Sequence, residues 1–199
     1  MKPITPERSK IGFVGIGYMG RPIARRLLAS GFKLTAYDRD RGKAHVILSC
    51  LPNDEAVLDI YRGPDGVFAN MSGGSLVIDM STVYPETSRE LSRLGSQQGV
   101  KVLDVTISGS VPAAEQGSLT LFGGGDQECF DAAESIFRAI ARKYFYLGPS
   151  GSGATMKLVV NTLLGTGMQA IAEAVALGEK AGLDHHRLLD VLSETAVVA

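Results

Sequence analysis

The chain is short of cysteine, histidine and net charge, and each shortage narrows its chemistry. Cys50 and Cys129 stand far apart, with no C-x-x-C and no histidine at metal-ligand spacing, so neither a disulfide framework nor a metal site is expected. They read as reduced structural thiols of a cytoplasmic protein. His45, His185 and His186 make no triad, and the adjacent pair is expected to face solvent at the start of a helix. A formal net charge of -1 gives no general attraction to nucleic acid or anionic lipid. No uninterrupted apolar run approaches the roughly 20 residues of a membrane span. The opening MKPITPERSK lacks the hydrophobic segment of a secretory signal and is expected to be a short disordered lead-in. Internal repeats and low-complexity segments are also missing. The expectation is a protein with a small-molecule partner, with no nucleic acid and no membrane.

What is present is a chain of 199 residues, 45% hydrophobic, long enough to bury a core. Short β-rich runs at 10–16, 34–37, 46–50, 76–79, 102–105, 119–123 and 144–147 alternate with helical patterns at 19–30, 86–96 and 127–141. Runs such as VILSCL and SLVIDM are apolar throughout, as expected of parallel strands covered on both faces. From Gly151 no strand pattern returns. A long helical stretch reaches Ala181, and after Gly182-Leu183-Asp184 another helix starts at His185, expected to face a core. The fold class is therefore α/β, a doubly wound sheet over residues 1–150 followed by an all-helical second domain over 151–199 that is truncated.

Two places depart from an intact fold. If the strands at 34–37 and 46–50 are parallel neighbours, the chain between them is too short for a crossover, which needs about a dozen residues. The helical domain also stops soon after it begins, with little apolar surface to close a core. A helix-containing segment between Ala44 and His45 and a helical tail beyond Ala199 are expected to be missing.

The run IGFVGIGYMG places Gly15, Gly17 and Gly20 in G-x-G-x-x-G order, with Tyr18 and Met19 between, directly after a strand and opening a helix. The first glycine permits the turn, the second lets a pyrophosphate approach the backbone, and the third allows helix and strand to pack closely. Asp38 ends the second strand about 20 residues on, where a carboxylate accepts from ribose hydroxyls. Together these describe a Rossmann-type dinucleotide site. Asp38 favours NAD. Arg39, Arg41 and Lys43 follow at once, and although they read most simply as a solvated loop, Arg39 keeps NADP as the second option.

GSGATMKLVVN puts Lys157 and Asn161 on one helical face among Met156, Leu158 and Val159. A lysine in such apolar surroundings has its ammonium form disfavoured, which suits proton transfer, and an asparagine one turn away adds a hydrogen-bonding group without charge. The alternative for Lys157 is an exposed lysine snorkelling past an apolar stripe. Asp79 and Asp104 end strands near the ligand edge but read as loop caps, and Glu173 as a structural residue.

GFVGIGYMG, ILSCLPNDEAV, VIDMSTVYPETSRELS, LDVTISGSVPAAEQGSLTLFGGG and GATMKLVVN, in this order, resemble the β-hydroxyacid dehydrogenase family from about Lys10 to the end. The resemblance implies an NAD(P)-dependent enzyme interconverting a small 3-hydroxy acid and its semialdehyde. It implies that Leu51 and Pro52 line the cofactor, that Thr82 lies beside the nicotinamide ribose, and that Ser108, Gly109 and Ser110 hold the substrate carboxylate. Lys157 matches the catalytic lysine and Asn161 the asparagine that positions substrate. It also implies a homodimer or homotetramer. Ser110 stands where the family has a glycine, so strain is expected there if the position needs a positive φ. Imine reductases share the fold but differ at the lysine, as do catalytically silent, chromatin-associated relatives; Lys157 counts against both.

Overall fold

The computed structural model describes residues 1–36 and 44–195, which form two compact units meeting at Lys157 and Leu158. By its contacts the chain divides inside a helix, whose first turn is fastened to the sheet. Asp38 and Arg39 lie outside the described residues.

The first unit is built on β1 (Lys10–Val14), β2 (Lys33–Ala36), β3 (Val46–Ser49), β4 (Leu76–Asp79), β5 (Lys101–Ser108), β6 (Leu119–Gly124) and β7 (Ala141–Tyr146). They make one sheet in the order β2-β1-β3-β4-β5-β6-β7. Its helices are α1 (Gly20–Ala29), α2 (Asp54–Tyr61), α3 (Pro85–Gln97), α4 (Val111–Gln116), α5 (Gln127–Ala132) and α6 (Glu134–Ile140). Successive strand residues face opposite ways. Ile78 therefore joins a core with Ile23 and Leu27 of α1 and Phe130 and Phe137 of α5 and α6, whereas Val77 joins a second core with Val57 of α2 and Leu91 of α3. Both faces of the sheet are covered, which is the doubly wound arrangement.

The sheet is not wholly parallel, as β6 runs antiparallel to β5. The connection between them contains only the six-residue α4, too short for a crossover. β2 and β3 are also not neighbours: both pair in parallel with β1. Residues 37–43, which connect them, lie outside the described residues, as does the stretch on which the expectation of a missing segment beside Ala44 and His45 rests.

Further expectations change in detail. The opening residues are not a loose lead-in, because Ile4 is buried, its N–H donates to Ala132 O at 2.9 Å and its carbonyl accepts from Ser135 Oγ. The helical pattern at 127–141 is two helices meeting at Ala133, and Ala141 already belongs to β7. α2 follows an unremarked cap, Asn53 Oδ1 accepting from Ala56 N at 2.9 Å.

The helix α7 (Ser152–Lys180) starts in the first unit, and its remainder forms the second unit with α8 (His185–Ser193). In this unit Leu188 packs so closely on Gly178 that a Cβ there would lie 2.7 Å from it, and Asp184 caps α8 by accepting from Arg187 N at 3.0 Å. α8 has no buried residue, contrary to its expected core-facing role. Leu163, Leu164, Met168 and Leu177 of α7 are exposed. With 29 residues and a window of mean hydropathy 1.3, α7 meets the length and composition of a membrane span, which a search for unbroken apolar runs misses because Asn161, Thr162, Thr166 and Gln169 interrupt it.

Ile78 is fully buried at the centre of the sheet. Its replacement by alanine is expected to cost about 2–5 kcal/mol, read as a lower urea midpoint with an unchanged slope. A loss below about 1 kcal/mol would mean that this core is not packed as described.

Candidate active site at the carboxyl edge of the sheet

The residues singled out in the first unit, apart from Asp38, Arg39 and Lys157, follow the carboxyl ends of β1, β3, β4 and β5, where open α/β sheets bind ligands. Gly15 turns at φ +90°, and a Cβ there would lie 2.2 Å from Cys50 O. At Gly20 a Cβ would lie 1.9 Å from Gly15 O, so the start of α1 can pack on the turn only as glycine. Gly17 meets nothing within 4 Å, which leaves its backbone open to a ligand. Met19 precedes the helix and packs on the core, while Tyr18 is 92% exposed. This cradle, at the electropositive amino end of α1, fits a pyrophosphate.

The neighbouring loops are tied to it. Leu51 N donates to Ser81 Oγ at 2.9 Å, which joins the Leu51–Pro52 segment to the residue before Thr82. Pro52 and Thr82 are exposed at this edge. Ser81 Oγ donates in turn to Asp79 Oδ1 at 2.6 Å, as does Ser49 Oγ at 2.6 Å, and Tyr61 OH donates to Ser49 Oγ at 2.8 Å. Burial pushes the Asp79 carboxyl up, and the hydroxyl donors oppose that shift. Burial also raises the thiols of Cys50 and Cys129 to about 11, which suits structural cysteines rather than nucleophiles.

Ser108 ends β5 half-buried, and Gly109 and Ser110 are exposed after it. Gly109 has φ +134°, and a Cβ there would crowd Leu119 at 2.9 Å. Ser110 has φ -101° and ψ 178°, ordinary extended backbone at the start of α4. The strain expected at Ser110 is absent: the unusual conformation is at Gly109, which is already glycine. A cleft of about 440 Å³ lies between Gly17, Tyr18, Arg21 and Arg25 on one side and Val111 and Glu115 of α4 on the other. It joins the glycine-rich turn to the residue following the Ser-Gly-Ser loop.

Lys157 is half-buried on α7, and burial moves its ammonium below the ordinary lysine value. Asn161 lies on the same helix one turn further, exposed and in the second unit. The sequence reading treated Asp79 and Asp104 as simple loop caps and passed over Ser49 and Ser81. Only the folded sheet brings them together: Ser49 pairs with Asp79, Asp79 with Asp104 and Asp104 with Gly124, one row across four strands. Among the described residues no group of acidic, histidine or cysteine side chains could hold a metal.

The sequence model for the NAD binding domain of 6-phosphogluconate dehydrogenase matches residues 10–49 and 42–148, and that for the NAD-binding region of NADP-dependent 3-hydroxyisobutyrate dehydrogenase matches 151–197. A 3-hydroxyisobutyrate dehydrogenase from Pseudomonas aeruginosa is 34% identical over 207 residues, covering 94% of this chain and 70% of that protein. The NAD-dependent L-serine dehydrogenase of the same organism is 33% identical over 208 residues, covering 94% and 70%. The structure of a 3-hydroxyisobutyrate dehydrogenase from Mycobacterium tuberculosis with L-serine superposes with a TM-score of 0.85 at 28% identity, covering 95% of this chain and 71% of that one. By these matches, which together run over nearly its whole length, the chain belongs to the β-hydroxyacid dehydrogenase family.

Proposed function

We propose that the protein is an NAD(P)-dependent dehydrogenase that interconverts a small 3-hydroxy acid and its semialdehyde, with Lys157 as general acid and base. The observation that carries this reading is a half-buried lysine of lowered pKa at the start of α7, in a chain whose β1–α1 turn forms a complete glycine cradle. The nicotinamide, when bound, accepts or supplies the hydride. The chain's own residues bind, orient and move one proton. Gly15, Gly17 and the first turn of α1 hold the pyrophosphate, and Leu51, Pro52 and Thr82 lie along its path. Ser108, Gly109 and Ser110 offer hydroxyl and backbone N–H groups to the substrate carboxylate. In oxidation the neutral Lys157 Nζ takes the hydroxyl proton, and in reduction the ammonium returns it. Asn161 is assigned to hold the substrate.

Asp38 supports NAD as the preferred cofactor, with Arg39 as the residue that would admit NADP. Two unpaired cysteines suit a reducing compartment, the cytoplasm. An alignment of 208 positions covers only 94% of this 199-residue chain, and the two matches to one family model overlap at 42–49, which supports a segment in the relatives that this chain lacks near Ala44 and His45. The exposed apolar face of α7 supports a homodimer or homotetramer.

Lys157→Ala is expected to lower turnover of 3-hydroxyisobutyrate or L-serine with NAD by at least about 100-fold while NADH affinity, followed by fluorescence, stays within about twofold. Retained turnover would remove the lysine from its role. Because Lys157 must be neutral to accept a proton, kcat/KM for oxidation should rise with pH through a limb below 10.5, the ordinary lysine value, and the rate of reduction should fall through the same range. Size-exclusion chromatography with light scattering should give a mass at least twice 21.1 kDa; a monomer would contradict the assembly.

A further inference from the structure

The first turn of α7 is fastened to β5 through one carboxylate. Asp104 Oδ1 accepts the N–H of Gly151 at 2.9 Å, and Oδ2 accepts that of Ala154 at 3.0 Å. Thr106, two residues along the same strand, adds a second fastening by donating from Oγ1 to Gly153 O at 2.9 Å. The approach leaves no room for side chains. A Cβ on Gly153 would lie 2.4 Å from both the Asp104 and Phe122 carbonyl oxygens, and one on Gly124 would lie 2.7 Å from Asp104 Oδ1. Asp104 is 2% exposed, and burial pushes its carboxyl up while the backbone donors hold it down.

This is a helix cap supplied from a distant strand. An ordinary N-cap belongs to the chain entering the helix and moves with it. Asp104 belongs to the sheet, so the N–H groups of Gly151 and Ala154 are held to a rigid element. That fixes both where α7 begins and how it is rotated, since a slip of one residue would turn each side chain by about 100°. Gly153 and Lys157 are four residues apart and share a helical face. The face pressed on the sheet at Gly153 therefore carries Lys157 one turn, about 6 Å, further on. Asp104, Gly151, Ala154 and Lys157 all lie in the first unit. β5 carries Asp104 and, four residues later, Ser108, so one strand holds both the expected carboxylate loop and the fastening of the lysine helix.

We infer that Asp104 is a positioning residue for the reaction: by holding the Gly151 and Ala154 N–H groups it sets the start and rotation of α7, and so places the Lys157 amine with respect to the Ser108–Ser110 loop. Asp104 touches neither substrate nor cofactor in this scheme. The inference rests on Lys157 being the proton-transfer group. Burial is the cause of the lysine's lowered value, so its titration reports how the amine is packed.

The test uses the full chain with Asp104→Asn, Asp104→Ala and Lys157→Ala. One readout needs no turnover: the acetylation rate of Lys157 Nζ against pH, resolved by peptide mass spectrometry. The other is steady-state kinetics with NAD and 3-hydroxyisobutyrate or L-serine. With Asp104→Asn the Lys157 titration should move up toward the ordinary lysine value, and kcat should fall about 100-fold while KM for NAD stays within about twofold. Asp104→Ala should lose more, because Asn keeps one acceptor oxygen. A folded Asp104→Asn protein with an unmoved Lys157 titration and kcat within about twofold would make Asp104 a structural cap only and overturn the inference. If Asp104→Asn does not fold, Thr106→Val removes the second fastening, and the same shift is expected; an unmoved titration there overturns the inference. Turnover by Lys157→Ala would sink the proposed function itself, whereas an inactive Lys157→Ala beside a normal Asp104→Asn sinks only the positioning role.

Discussion

Two carboxylates buried on neighbouring strands, Asp79 at the end of β4 and Asp104 within β5, hold the candidate site together. Asp79 and Asp104 face each other in register across β4 and β5, at a depth where an unpaired carboxylate would cost several kcal/mol. Each is tolerated because it is a meeting point for donors from elsewhere in the chain. Asp79 gathers Ser49 from β3 and Ser81 from the following loop, and through Ser81 it ties down Leu51. Asp104 gathers the first turn of α7. The loops assigned to the cofactor and the helix assigned to proton transfer therefore share one rigid reference, the carboxyl edge of the sheet.

This arrangement explains the glycines at the edge. Gly124, opposite Asp104, leaves space for the carboxylate, and Gly153 lets the helix come within contact of strand carbonyls. At Gly15 and Gly20 the same economy of space brings α1 onto β1 and leaves Gly17 open. The chemistry attributed to the site needs this closeness, because an oriented proton acceptor loses effect steeply when it is displaced by about 1 Å.

Sequence patterns revealed much of this, and physical reasons separate what they revealed from what they concealed. The strands were legible because a parallel sheet covered on both faces makes continuous apolar runs, and the glycine fingerprint because its spacing is local. The antiparallel β6 was hidden, since strand direction leaves no mark on residue type. α4 escaped because it is only one and a half turns long with a proline in its first turn. The fastening by Asp104 joins residues nearly fifty positions apart, so no local pattern shows it. Ser110 misled because a non-glycine residue at a glycine position suggests strain, yet the extended backbone there accepts serine and Gly109 bears the unusual φ. Asp38 and Arg39 lie outside the described residues, so the reading of cofactor preference stands on sequence.

The most direct test of the central claim is nicotinamide absorbance on mixing the purified chain with NAD or NADP and a panel of small 3-hydroxy acids, their methyl esters and 2-hydroxy acids. The account predicts cofactor reduction with free 3-hydroxy acids and little with the esters, which lack the carboxylate that Ser108, Gly109 and Ser110 are assigned to hold. Cofactor binding without reduction by any 3-hydroxy acid would contradict it.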